Sequence, residues 1–541
     1  MTESVNLKVD LYDPLKRPSR PSFDGPLLEE KNGRRNGHGT RSTGAVEPSR
    51  RQRAAALTLS TTSSKSMLPN IRHGPPGPIR RLPAELLVEI FDLCWHLFTP
   101  SFEDITFGSG HGDDHYSSVE TELARLAHAP LLDLSKVCSQ WHKLALGTPS
   151  LWSEIQLDTM VWNIQAETLL GLLKSALERG GDSSLSIMIT EPVVYLPSFD
   201  AALVLLARHS HRWQTAGFCC SFPLFHGSSD VKNRLPRLEI LDLQVWTDEA
   251  KPWEAFEVVR SLKSLTFRGD LTTISKIPLD QLVVFKSLEM TTEDLSPVFG
   301  LFEHLTSLAQ FHMELSLQDL MYEQSETLVL DLPPSTVNLS GLSIKFIEDF
   351  HGPHSKQVLG NIIERLTLPG LLHLKLESQR YPYFLVSWPH QEFLRFCSRS
   401  SFCTHLQSLE IYDVDITEDQ LLTCLAALPS LKHLAMSDQE LPSGGQQLVI
   451  TDTFFTSLTI TDDFVPHLRS FDIQSLLQFD DDAYLAFICS RLKEGVRFNS
   501  HIFWLPGCYR QLDETVVTRL YEFQVAKKLT FQFSEAKMEW V

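Results

Sequence analysis

No run in this 541-residue chain approaches the roughly 18 uninterrupted apolar residues that a membrane-spanning helix needs. The opening MTESVNLKVD has no apolar leader region either, so a soluble cytosolic or nuclear protein without membrane contact is expected. Cysteine is sparse: nine residues, an odd number, at 94, 138, 219, 220, 397, 403, 424, 489 and 508, without zinc-type spacing and within apolar stretches. They read as reduced core thiols. No GxSxG, HExxH, phosphate-loop or kinase signature occurs, and no cysteine has a catalytic context, so the chain is not expected to be an enzyme or to carry a cofactor. Positive charge is also short. With 48 Lys/Arg against 67 Asp/Glu the net charge is -19, which argues against a chain whose main task is coating nucleic acid.

Apolar residues are plentiful, at 43%, so most of the chain should fold, and its length excludes one compact core. Residues 1–77 are the exception, rich in Pro, Ser, Arg, Gly and Asn without amphipathic period. They hold 13 Lys/Arg against 7 Asp/Glu, a net of +6, leaving -25 for the remainder. A disordered basic tail is expected there. It is either a solvated extension or an import or phosphoregulated segment, with Arg34, Arg35, Arg50, Arg51 and Arg53 among Ser and Thr.

At residue 78 the texture changes to PIRRLPAELLVEIFDLCWHLF. Pro83 fits a first helical position and Glu85 places negative charge in the first turn. Leu86, Leu87, Ile90, Phe91 and Cys94 then make one apolar face, opposite Glu85, Glu89 and Asp92. The stretch APLLDLSKVCSQWHKLALGTPSLW predicts a second amphipathic helix carrying Leu131, Leu134, Val137, Cys138, Trp141 and Leu144 on one face, stopped by Gly147 and Pro149. Residues 97–129 between them form a long Gly-, His- and Asp-rich insert. Its His111, Asp113, Asp114 and His115 lack a rigid frame, so a solvated loop is expected rather than a metal site. FDDDAY at 479–484 lacks the alternating ligands of a calcium loop.

From Trp152 onward a hexapeptide recurs, with apolar residues at its first, fourth and sixth positions. Clear cases start at Leu238, Leu262, Phe285, Leu308, Leu339, Leu371, Leu406, Leu431 and Leu468, and looser ones at Trp152, Asp182 and Trp213. The twelve starts are spaced by about 29 residues, at the upper edge of the leucine-rich-repeat period. Each can be a short strand with its fourth and sixth residues inward and its fifth outward. Helical stretches such as TEDQLLTCLAALPS, with Leu421, Leu425 and Leu428, lie between. Stacked strand–helix units share one continuous core, which predicts an irregular α/β solenoid over residues 158–541. The Asn or Cys expected after each strand is mostly missing.

The order LPAELLVEIF, VCSQW and LWSEIQL over residues 78–157 resembles the F-box-like domain of fungal proteins with degenerate leucine-rich repeats, and the following HRWQ, LPRLEILDL and LPSLKHL look like that group's repeat region. The resemblance implies a non-catalytic substrate receptor: the module docks a Skp-type linker protein, and through it a cullin, while the repeats recruit a protein target for ubiquitination. The matching linker-binding positions are Leu82, Pro83, Leu86, Leu87, Ile90 and Phe91, then Val137, Cys138, Trp141 and Leu144. Each is either a contact or part of the module's own core, with Trp141 and Leu144 on the core side. On the repeats' inner face the outward fifth positions are Asp242, Thr266, Glu289, His312, Ser343, Lys375, Glu410, Ala435 and Asp472, which favours a neutral or mildly basic target. Two other readings stand beside this one: a repeat scaffold without ligase role, and a nucleic-acid-associated regulator acting through the basic tail.

Overall fold

The computed structural model describes residues 82–98, 128–159, 161–194, 196–221, 224–225, 231–246, 251–317, 330–347, 355–378, 386–440, 446–460, 464–492, 497–505, 508 and 510–535. All lie in one compact unit, Pro76–Val541. The basic tail, the insert over 99–127 and the His111–His115 group fall outside the described residues.

Three helices open the described chain: α1 (Ala84–Phe98), α2 (Ala129–Ser135) and α3 (Ser139–Gly147). The single helix expected for the second apolar stretch is thus two. Lys136 ends the first and Cys138, in extended conformation, starts the second. The break lets Leu131 and Trp141 both reach one small core with Leu87, Phe91, Ala145, Leu151 and Trp152. Phe91 meets Trp141 edge-on at 5.0 Å, the quadrupole-favoured geometry for two rings.

Fourteen strands follow in one sheet, every neighbouring pair parallel and in chain order. They are β1 (Glu154–Leu157), β2 (Leu185–Thr190), β3 (Trp213–Cys220), β4 (Ile240–Val245), β5 (Ser264–Arg268), β6 (Val284–Met290) and β7 (Gln310–Ser316). The series continues with β8 (Gly341–Ile347), β9 (His373–Ser378), β10 (Ser408–Tyr412), β11 (His433–Ser437), β12 (Ser470–Ser475), β13 (Phe498–Trp504) and β14 (Leu529–Glu535). Nine helices lie between strands among the described residues: α4 (Ala166–Arg179), α5 (Pro197–Arg208), α6 (Thr292–Leu301), α7 (Ser355–Arg365), α8 (His390–Ser400), α9 (Glu418–Ala426), α10 (Asp452–Ile460), α11 (Asp481–Arg491) and α12 (Glu514–Val525). Between β4 and β6 the described residues hold single 3-10 turns, Glu254–Phe256 and Leu271–Ile274, in their place. The result is an α/β solenoid-like stack of uneven repeats.

The strand register explains the hexapeptide. Cross-strand pairing lines up Ile155, Ile187, Ala216, Leu241, Leu265, Phe285 and Phe311 in one row, continued by Leu342, Leu374, Leu409, Leu434 and Phe471. This is the fourth position, and it shares one core with the helices' apolar faces, including Leu421 and Leu425 of α9, and with Leu428 just after that helix. A buried leucine of this kind stabilises by about 1.5–3 kcal/mol relative to exposure. All twelve expected starts fall at strands of this sheet, and two need a shifted register. The pattern from Asp182 slides by two residues and keeps its face, so Ile187 takes the fourth position. The pattern from Phe285 slides by three, because Phe285 itself pairs with Leu265 and Lys286 with Thr266. Glu289 is therefore not a fifth-position residue. It sits in a register irregularity with a left-handed backbone, φ 47°.

Two further strands, β13 and β14, were hidden by polar residues at the positions that define the pattern. In β13 the fourth position is Ser500, fully buried, whose Oγ lies 2.7 Å from the buried Tyr484 hydroxyl. In β14 the first position is Lys528.

Carbonyls at a helix C-terminus lack intrahelical partners, and at three helix ends arginines supply them. Arg212 donates to Leu177 O at the end of α4 and to Ser183 O. Arg399 of α8 donates to Ile363 O and Leu366 O at the end of α7. Arg491 of α11 donates to Leu458 O of α10 and to Phe464 O and Val465 O. Each reaches back one repeat, so the same device recurs three times along the stack.

All nine cysteines are free. Four are buried as expected, but Cys489 is exposed. FDDDAY proves to be a helix start: Asp480 caps α11 by accepting from Asp482 N, and Asp481 accepts from Arg510 and Asp513 N. Among the described residues no helix is long and apolar enough to cross a membrane, and no group of three or more His, Cys, Asp or Glu is placed to hold a metal ion.

Candidate functional site

Two surfaces carry the residues singled out by sequence. On the three-helix module, α1 has two apolar stripes, where one was expected. Leu87, Phe91 and Trp95 recur at i, i+4 and i+8 and are buried. Leu86, Ile90 and Leu93 run beside them, with Leu86 45% and Leu93 63% exposed and Ile90 half-buried. At the junction of α2 and α3 stands Val137, 58% exposed, followed by half-buried Cys138.

The ten linker-binding positions therefore divide. Leu87, Phe91 and Trp141 are core, packed together, which is the side on which Trp141 was expected. Leu82, Ile90, Cys138 and Leu144 are half-buried on the flank of that core, and Pro83, Leu86 and Val137 are exposed. Pro83 precedes α1, its carbonyl accepting from Leu87 N at 3.2 Å. Leu93 was missed, although its i+7 spacing from Leu86 was a readable signal.

The module is joined to the sheet by a stack of rings. His128 lies between Trp95 and Trp152, with centroids at 4.6 and 4.8 Å, and the Arg179 guanidinium sits 4.4 Å over Trp152. Trp95 Nε1 donates to Glu154 of β1 at 3.0 Å, and Trp152 Nε1 donates to Ala145 O at 2.8 Å.

The second surface is the sheet face opposite the helices. Side-chain alternation puts Asp242, Thr266, His312, Ser343, Lys375, Glu410, Ala435 and Asp472 there in one register row, as expected, with Lys286 in the place expected of Glu289. β13 adds His501 to the row.

Along this face the environment changes. Over β2–β4 it is closed and mostly neutral: Met188, Cys219, Asp242 and Gln244 are all buried. Asp242 is 4% exposed, so it does not present a carboxylate to a target. Burial pushes its carboxyl up to about 7, against the opposing Gln244 amide, 3.5 Å from Oδ1, and Lys286. Trp246, 48% exposed, follows β4 with the Arg268 guanidinium 3.7 Å over its ring.

From β5 to β9 acids and bases are interleaved and largely self-compensating. Arg268 pairs with Glu289, Lys345 with Glu314 at 3.3 Å, and Lys375 with Glu377 at 2.6 Å. Burial raises the Glu314 carboxyl, but His312 and Lys345 outweigh it and hold the group below the ordinary carboxylate range.

From β10 to β13 the face turns acidic and histidine-rich. His433 lies 3.9 Å from Glu410 and 4.0 Å from Asp472, and His501 lies 3.0 Å from Asp472. Ala435, fully buried, separates the two carboxylates in the row. Burial, reinforced by Glu410, Asp472 and Glu377, raises the Tyr412 phenol well above its ordinary range.

No protein-family model matches this chain, and no curated protein matches it. Among solved structures the chain is similar to one in the crystal structure of the TLR13–ssRNA13 complex, at 14% identity and a TM-score of 0.31. That likeness covers 60% of this chain and spans 45% of the other.

Proposed function

We propose that this chain is a non-catalytic substrate-recognition subunit of a Skp–cullin–F-box ubiquitin ligase, acting in the cytoplasm or nucleus. The supporting observation is the second apolar stripe of α1. Leu86 and Leu93, exposed, and Ile90, half-buried, form an apolar strip on a helix whose other stripe already holds the module together, and Val137 is exposed at the junction of α2 and α3. Contiguous exposed apolar side chains beside polar neighbours mark a partner site, and the F-box resemblance names a Skp-type linker as that partner. The parallel sheet then offers a long open face for a protein target. Ubiquitin transfer would be accelerated by proximity, the target's lysines being held at high effective concentration near a transferase.

The test is capture of a purified Skp-type linker protein by the full chain. Leu86→Asp with Leu93→Asp is expected to abolish capture while leaving thermal unfolding within about 1 kcal/mol of the parent, since both side chains are solvent-exposed. Leu87→Asp, in the core, is expected to lose both capture and the module's fold. A parent chain that captures no linker overturns the ligase reading and leaves a repeat-based binding scaffold.

A further inference from the structure

Among the described residues no helix follows α12 and no strand follows β14, which stands at the edge of the sheet. The buried face of α12 is formed by Val516 and Leu520. Beside it Glu514, Val517, Tyr521 and Val525 recur at intervals of three, four and four residues, which is one stripe of a helix. Lys528 follows three residues on, in the turn that leads to β14. The stripe is open to solvent: Tyr521 is 51% and Val525 83% exposed, Glu514 and Lys528 are exposed, and Val517 is half-buried.

Two contacts place this stripe at the end of the stack and not on its outer back. The Tyr521 ring meets Phe531 of β14 edge-on, with centroids 5.9 Å apart. Gln524, almost one turn on from Tyr521, accepts through Oε1 from Phe531 N at 3.0 Å. β13 pairs with alternate backbone groups of β14, as where Phe498 N donates to Lys528 O, so Phe531 N belongs to the other edge of the strand. The helix stripe and the sheet edge thus share one surface.

The stripe is the same read in either direction, with its charge reversed. Val517 and Val525 lie four residues to either side of Tyr521, and Glu514 and Lys528 lie seven to either side. Asp513 and Lys527, also exposed, repeat the signs of their neighbours, while Arg519 and Glu522 are paired with each other at 2.6 Å. We propose that this surface binds a second copy of the chain, α12 pairing antiparallel with its own copy about a two-fold axis at Tyr521. That symmetry sets Val517 against Val525, Tyr521 against itself and Glu514 against Lys528, each contact made twice. The three-and-four spacing is that of a helix–helix seam, and the two helix dipoles are opposed. Helix-end preference alone accounts for an acid at the start and a base at the end, but not for the apolar side chains open to solvent between them. The proposal rests on α12 and not on the ligase reading. A pair joined there carries two open sheet faces, which a target with repeated binding segments would engage together.

Sedimentation equilibrium of the full chain is expected to show a monomer–dimer equilibrium over about a hundredfold range of concentration. Val525→Asp is expected to weaken association at least about tenfold with an unchanged melting temperature of the monomer, since that side chain is 83% exposed. Glu514→Lys sets lysine against Lys528 of the second copy, and Lys528→Glu sets glutamate against Glu514. Each alone is expected to weaken association at least about fivefold. An equimolar mixture of these two variants is expected to recover it, because every crossed pair is then of opposite charge. A chain monomeric throughout, a dimer indifferent to Val525→Asp, or a mixture that associates no better than its components overturns the proposal. A chain that dimerises only after removal of residues 536–541 overturns it too and gives the surface to that segment.

Discussion

Asp242 and Asp472 occupy the same row of the same sheet, yet their surroundings have little in common. At the β2–β4 end Asp242 is buried beside Gly217 and Thr266, with the Gln244 amide as a long-range donor. At the β10–β13 end Asp472 lies within 4.0 Å of two imidazoles. Repeat position therefore sets which face a side chain takes and leaves its electrostatics to neighbours one strand away. A third acid, Asp438, extends the contrast. It is fully buried like Asp242, but it accepts from Val449 N and Ile450 N at 3.0 Å, Ser475 Oγ at 2.7 Å and Leu476 N at 3.2 Å. Burial raises its carboxyl too, against those four donors.

The largest effect is expected where the satisfied acid is removed. Asp438→Ala orphans the buried donors, costing on the order of 3–5 kcal/mol, to be read as a lower denaturant midpoint. A loss under about 1 kcal/mol would put Asp438 in the same class as Asp242.

Asp242, with the Gln244 amide 3.5 Å from its Oδ1, should behave in the opposite sense. With a folded pKa near 7 against an ordinary 3.8, the folded chain keeps a proton that the unfolded chain has released between those values. Unfolding stability then falls as pH rises from about 4 through 7 and is level above that. Asp242→Asn is expected to remove this slope, stabilising the chain at pH 8 by on the order of 1–3 kcal/mol and leaving it nearly unchanged at pH 4. Calorimetric melting at the two pH values checks it, and an equal shift at both would show that ionisation is not the cause.

Ser500→Ala should give the smallest change. It removes the partner of the buried Tyr484 hydroxyl, for a loss of about 1–2 kcal/mol, read from the melting of the C-terminal repeats. Unchanged melting would mean that the polar fourth position of β13 is incidental.

The legible part of this fold was the part written as periodicity. Twelve strands announced themselves because a leucine or its equivalent must fill the same slot in every repeat. β13 and β14 escaped because Ser500 fills that slot by hydrogen bonding and Lys528 replaces the first apolar residue. The Phe285 pattern misled because the apolar triplet Phe285–Leu288–Met290 overlaps the true pattern, Leu282–Phe285 with Ser287 at its sixth position, and a three-residue shift exchanges the faces. That is why Lys286, not Glu289, belongs to the open row. In the module, 3.6-residue spacing identified the apolar side of α1, but one wide stripe and two adjacent stripes look alike until the packing of α2 and α3 covers only one of them.

By itself, then, the sequence determined the order of elements, the parallel stacking implied by their spacing, the face of each strand and the opposite charge of tail and body. These follow from local periodicity and composition, which act within a few residues. Tertiary structure alone decided which apolar residues of α1 stay exposed, which arginines close the helix ends, and why two aspartates in one row differ. Each of those depends on groups some 25 to 60 residues apart in the chain, brought within a few ångströms by the stacking of neighbouring repeats.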